Sequence, residues 1–241
     1  MPDRIDPTVP TGNLLLDALD PDEKASILSG ADIKPIDVGD ILMQPGDPVR
    51  HVAFPITGTL SMIAQPEDTV QVEAATIGLE GAASIHSALG SRIATQQLVS
   101  QVEGQMVRLD VEDFRKWANE GRFQDLVYGY LEALVVQISL TAACNAVHHL
   151  NQRCARWLLQ THDRVETDSF GLTQEYLGVM LGVQRPSVSI AQRTLREAGC
   201  ITFSRGKITV TDREGLEAAA CPCYELIRTE YSRLVPLRVQ R

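Results

Sequence analysis

Aromatic residues make up only 5% of the 241 positions. No run of apolar residues approaches 18, the length at which a segment reads as a membrane span. The opening Met-Pro-Asp-Arg-Ile-Asp-Pro is acidic and proline-rich, unlike the basic and then apolar start of a secretory signal. A cytoplasmic protein that does not engage a membrane is expected. Catalytic signatures are also missing: there is no nucleophile elbow, phosphate loop or metal motif of familiar spacing, so an enzyme is not expected. The cysteines are few, at 144, 154, 200, 221 and 223. An odd, scattered set in such a compartment is expected to be reduced. Cys221-Pro-Cys223 is the close pair, of a kind that ligates metals or senses oxidants. It lacks a second ligand pair at a familiar spacing, so no metal and no cofactor are expected. His86, His148 and His149 stand too isolated to argue for haem.

The segment from Leu172 to Gly199 carries the strongest pattern. Thr173 is a good N-cap, and Glu175 adds negative charge to the positive helix end. Tyr176, Leu177, Met180 and Leu181 then form an apolar stripe at helical spacing, and Gly182 stops the helix. A second helix is expected from Arg185-Pro186, since proline is tolerated in a first turn. Its inward face is Val188, Ala191 and Leu195. Arg185, Ser187, Ser189, Gln192, Arg193 and Arg196 are left outward, and such residue types suit phosphates and base edges. Residues 201–204 and 207–210 read as two strands joined at Ser204-Arg205-Gly206, with Lys207 beyond the turn. The pattern predicts a winged helix-turn-helix whose second helix enters the major groove. Candidate DNA contacts are Thr173, Gln174, the six outward residues of the second helix, Arg205 and Lys207.

Charge fits a local reader on an acidic body. The chain has 22 Lys and Arg against 31 Asp and Glu, a net of −9. Residues 147–211 hold eight cations and five anions, hence +3, which leaves −12 for the rest. Long-range attraction to DNA is then weak and base contacts must discriminate.

At this length two domains are expected, and 44% hydrophobic residues are ample for buried cores. Residues 13–29 have the spacing of an amphipathic helix. Between about 33 and 109, short β-prone runs alternate with turns at Gly39-Asp40, Pro45-Gly46-Asp47, Thr57-Gly58, Gly78, Gly90 and Gly104, the pattern of an antiparallel roll or barrel. A long helix is expected from about 122 to 150. Its stripe of Phe123, Val127, Tyr130, Leu134 and Ile138, widened by Leu126, Leu131, Val135 and Leu140, needs a partner, and a second copy of the chain is the expected one. The fold class is therefore α+β: a β-roll (1–121), a dimerisation helix (122–150) and a winged helix-turn-helix domain with a C-terminal helix (151–241).

This order of elements resembles the Crp/Fnr family of bacterial transcription regulators. The resemblance rests on Asn151-Gln-Arg-Cys-Ala-Arg-Trp-Leu-Leu, Leu172-Thr-Gln-Glu, Leu181-Gly-Val-Gln-Arg-Pro-Ser-Val, Gly199-Cys-Ile and Arg205-Gly-Lys-Ile. More weakly, Val38-Gly-Asp, Pro45-Gly-Asp and Pro55-Ile-Thr-Gly-Thr-Leu are similar to the family's cyclic-nucleotide-type roll. The resemblance implies a homodimer that reads a two-fold symmetric operator, with RNA polymerase as a further partner and an effector of unknown identity. Arg185 matches the guanine-reading arginine. Pro186 replaces a frequent acidic residue and Ile190 a frequent second arginine, which implies an unusual operator. In the ligand cassette, residues 77–95, the candidates are Gly78, Glu80, Arg92 and Thr95. Ala94 occupies the place of the phosphate-binding arginine, so an ordinary cyclic nucleotide is not the expected effector.

The alternative is a ligand- or redox-sensing protein in which the roll or Cys221 and Cys223 are the main functional site, with DNA binding secondary.

Overall fold

A computed structural model describes residues 5–67, 70–165 and 167–235. The chain begins with two short helices, α1 (Leu14–Asp17) and α2 (Pro21–Leu28). One continuous helix was expected here. The break falls at Asp20-Pro21, because the residue before proline is pushed to an extended conformation; Asp20 has φ −67° and ψ 149°.

The roll follows as β1 (Asp32–Ile36), β2 (Ile41–Met43), β3 (His51–Glu67), β4 (Val70–Ile77), a 3-10 turn (Ile85–Leu89) and β5 (Gln97–Asp110). All pairings are antiparallel, in the order β1-β5-β3-β4, with β2 also paired to β5. β3 and β5 are long and slip register between Pro55 and Leu60. Two glycines permit that bend: a Cβ at Gly58 would lie 2.6 Å from the Val102 carbonyl oxygen, and one at Gly104 would lie 2.3 Å from that of Thr57. Beneath the sheet Phe54, Phe114 and Phe123 pack together with ring centroids 5.9–6.4 Å apart.

Helix α3 (Val111–Trp117) leads into α4 (Gly121–Val147). By length and composition α4 is also able to cross a membrane, alone among the helices of the described residues. The stripe expected to meet a second chain turns inward instead. Phe123, Val127, Tyr130 and Leu134 are buried within the single chain, against the roll and against α9 (Cys223–Leu234), which returns along α4. Tyr231 of α9 donates a hydrogen bond to Gln137 Oε1 at 2.5 Å and stacks near Tyr130. Past its first turn α4 leaves 125, 128, 132, 135, 139, 142, 143, 146 and 147 exposed, with Val135 of the widened stripe among them, and positions 125 to 146 in this set include a row spaced by three and four that suits helix pairing.

α4 ends earlier than expected. His148 and His149 are extended, and the His149 N–H is capped by Gln152 Oε1 at 3.3 Å as α5 (Leu150–His162) begins. Then come β6 (Ser169–Gly171), α6 (Gln174–Leu181), α7 (Arg185–Glu197), β7 (Ile201–Ser204), β8 (Lys207–Val210) and α8 (Arg213–Ala219). The second core is built around Trp157, Leu158, Leu177, Val188, Leu195 and Ile208. It includes Ile63 and Val99 of the roll, so the two halves share a packed face.

Candidate nucleic-acid interface

The helix-turn-helix is assembled by local chemistry. The Thr173 hydroxyl accepts the Tyr176 N–H at 3.1 Å and caps α6. Gly182 takes φ 63° and closes it. Gln184 is the extended residue before α7, with Arg185 and Pro186 in its first turn. Val188, Ala191 and Leu195 are buried as expected. Arg185, Arg193 and Arg196 are exposed and Ser187 and Ser189 half-buried.

Gln192 differs from the outward placement its spacing suggests. It is 5% exposed, because Gln174 reaches across from α6 and donates to its Oε1 at 3.0 Å. The same Gln174 accepts a hydrogen bond from Arg185 Nε at 3.4 Å. Three of the candidate contacts thus form one polar chain across the two helices, which holds Arg185 at the head of α7.

The wing has three strands, β6-β8-β7; the short β6 carries too few residues for a period-two pattern and escapes sequence reading. At its tip Arg205 and Gly206 both have positive φ, 50° and 76°, the two left-handed residues of a tight hairpin turn. Arg205 and Lys207 are exposed there.

α6 also leans on the roll. Tyr176 is close to Ser100 and Ser61, and burial pushes its hydroxyl pKa up. Ser61 further donates to Glu73 Oε2 at 2.6 Å, whose other oxygen accepts the Trp157 indole N–H at 2.8 Å. Burial pushes the Glu73 carboxyl above the usual carboxylate range.

The roll candidates do not converge on one site. Glu80 is buried in an ion pair with Arg164 of the second half, and accepts the Gly78 N–H at 3.1 Å. Arg92 is exposed and pairs with Glu112 at 3.0 Å; Thr95 is exposed and Ala94 buried. A cavity of about 430 Å³ in the roll is lined by Met43, Arg50, Ser84 and Arg108 among others, and by none of these four candidates. A larger cleft of about 960 Å³, with Arg122, Arg164 and Arg213 on its walls, lies between the N-terminal segment, the roll and the second half.

All five cysteines are buried and free. Cys144, His148, Cys221 and Cys223 gather at one point, with their ligand atoms within 4.8 Å of one another. Sequence spacing hides this group, since Cys144 lies 77 residues before Cys221.

Residues 152–219 match the family of Crp-like helix-turn-helix domains. Among curated proteins nothing matches the chain. Solved structures with a similar fold include FixK2 from Bradyrhizobium japonicum, at 14% identity and a TM-score of 0.68, over 79% of this chain and 98% of that one. A CRP-family transcriptional regulator from Thermus thermophilus, TTHB099, matches at 18% identity and a TM-score of 0.66, over 78% and 96%. The regulator CLP of Xanthomonas campestris, described as responsive to c-di-GMP, matches at 14% identity and a TM-score of 0.62, over 79% and 99%. Residues 152–219 thus form a Crp-like helix-turn-helix domain, and the chain as a whole has the fold that these solved regulators share.

Proposed function

We propose that this protein acts in the cytoplasm as a homodimer and reads a two-fold symmetric operator with α7. The observation that carries the reading is the exposed row of Arg185, Arg193 and Arg196 on α7, beside the cationic wing tip of Arg205 and Lys207. In this reading Arg185 bonds a guanine and Ser187 and Ser189 contact neighbouring bases, while the buried Gln192 holds Gln174 and through it Arg185. Thr173 and Gln174 at the start of α6, with Arg193, Arg196 and the wing cations, hold phosphates. The working units are 1–121, 122–150 and 151–241, with α9 reaching back to α4.

The exposed seam of α4, with Tyr128, Val135, Ala142 and Ala146, is the surface on which two chains pair. That pairing sets two copies of α7 about 34 Å apart, one helical turn of DNA. RNA polymerase is the partner through which such a regulator acts, and the role is regulatory, not catalytic. The effector is not recognised in the usual cyclic-nucleotide manner, because Glu80 is committed to Arg164 and Arg92 to Glu112.

Selection from random duplex DNA, with the mass of the complex measured in solution, tests this reading. The expected outcome is a palindrome bound by two chains. Recovery of no preferred sequence, or binding as a monomer, overturns it.

A further inference from the structure

Four ligand-type side chains from separate stretches of sequence meet where the chain enters and leaves its DNA-binding half. Cys144 lies near the end of α4, His148 in the extended link to α5, and Cys221 and Cys223 at the start of α9. The Cys144 and Cys221 sulfurs are 3.4 Å apart, and Cys223 Sγ is 3.7 Å from His148 Nδ1. In a tetrahedron with zinc–sulfur bonds of about 2.3 Å and a zinc–nitrogen bond of about 2.0 Å, sulfurs stand about 3.8 Å apart and sulfur and nitrogen about 3.5 Å. These two edges are within about 0.4 Å of the tetrahedral values, and all four ligand atoms lie within 4.8 Å of one another. Such spacings are too short for a polynuclear iron–sulfur cluster, which spreads its thiolates over several metal atoms.

The surroundings point the same way. Arg153 and Arg156 on α5 are 9% and 4% exposed, and each has an Nε without a hydrogen-bond partner. Neither forms an ion pair with a carboxylate among the described residues. Both interact electrostatically with Cys144. Three thiolates and one neutral imidazole around a divalent ion carry a net charge of −1, an anionic neighbour suited to these two buried guanidiniums.

We propose that Cys144, His148, Cys221 and Cys223 bind one zinc ion tetrahedrally and so fasten the neck of the DNA-binding half to the end of α4. Three sulfurs and one imidazole in a closed tetrahedral set favour zinc over the harder divalent ions. The three cysteines bind as thiolates and the histidine as neutral imidazole, so metal uptake releases the thiol protons.

The test uses the full chain purified under reducing, anaerobic conditions, with zinc alone as the probe. Elemental analysis is expected to find one zinc per chain, retained through buffer exchange. Replacement by cobalt is expected to give the visible absorption of a tetrahedral thiolate site. Cys144→Ser and Cys221→Ser should each lose most of the metal, whereas Cys154→Ser and Cys200→Ser, outside the group, should keep it. His148→Cys should retain zinc and shift the cobalt spectrum toward four sulfur ligands. The wild-type measurements do not depend on any variant folding. Metal-poor wild-type protein that fails to take up zinc overturns the proposal. So does a Cys144–Cys221 disulfide in the anaerobic protein, or full zinc retention in Cys144→Ser and Cys221→Ser.

Discussion

Glu80 and Arg164 lock the roll to the DNA-binding half side on: Arg164 Nε and Nη2 both reach Glu80 Oε1, at 3.0 and 2.7 Å, with the side chains 8% and 7% exposed. Arg164 Nη1 also donates to the Gln160 carbonyl at 2.6 Å. Removing one member of such a pair strands a buried charge. Arg164→Met is therefore expected to destabilise the protein by about 3–5 kcal/mol, and the double variant Glu80→Leu with Arg164→Met by much less. Urea denaturation of the wild type, both single variants and the double variant measures the coupling.

Glu73 gives the same interface a pH dependence. Burial raises its carboxyl pKa, so the folded protein keeps a proton that the unfolded chain releases above about pH 4.3. The unfolded state then binds fewer protons, and stability falls as pH rises from that value toward the raised folded pKa. Glu73→Gln is expected to flatten this fall. Melting temperatures at several pH values between about 5 and 7 would show it, and parallel profiles for variant and wild type would contradict it.

On DNA the two classes of arginine separate. Arg185→Ala is expected to cost about 1–3 kcal/mol on the selected operator and to relax preference at one base pair. Arg205→Ala is expected to weaken all sequences alike and to reduce the salt slope by about one unit. Titrations at several salt concentrations, on the operator and on scrambled duplex, distinguish them.

Val135 is 62% exposed in the single chain, in the middle of the α4 seam. Val135→Glu is expected to leave the monomer folded and, on the proposed pairing of α4 with its copy, to bring two like charges together at a cost of several kcal/mol in association. Sedimentation equilibrium should then report a monomer, with circular dichroism unchanged.

How much of this was legible depended on distance along the chain. The helix-turn-helix was readable because its determinants are local: the Thr173 cap, the Gly182 stop and the Arg185-Pro186 entry lie within 14 residues of one another. Antiparallel pairing in the roll was readable from turn chemistry. The direction in which α4 faces was not, because a wide apolar stripe does not say whether it meets the roll, α9 or a second chain. Gln192 was misplaced for a related reason: helical spacing locates a side chain on a face but does not know that Gln174 lies over it. Glu80 with Arg164, and Cys144 with Cys221, are joined across 84 and 77 residues, a separation that no local pattern encodes.

The path of α9 has a mechanical consequence. Because α9 returns to α4, the segment from His148 to Pro222 both leaves and re-enters at one spot, and works as a closed loop on a narrow stalk. Such a body cannot slide away from its stalk while α9 stays docked, and it cannot turn about it without breaking the Glu80–Arg164 pair and the packing on Ile63 and Val99. In the proposed pair of chains, those same contacts then fix where each recognition helix sits, so the half-site spacing is set at the seam between roll and helix-turn-helix and not by the stalk alone.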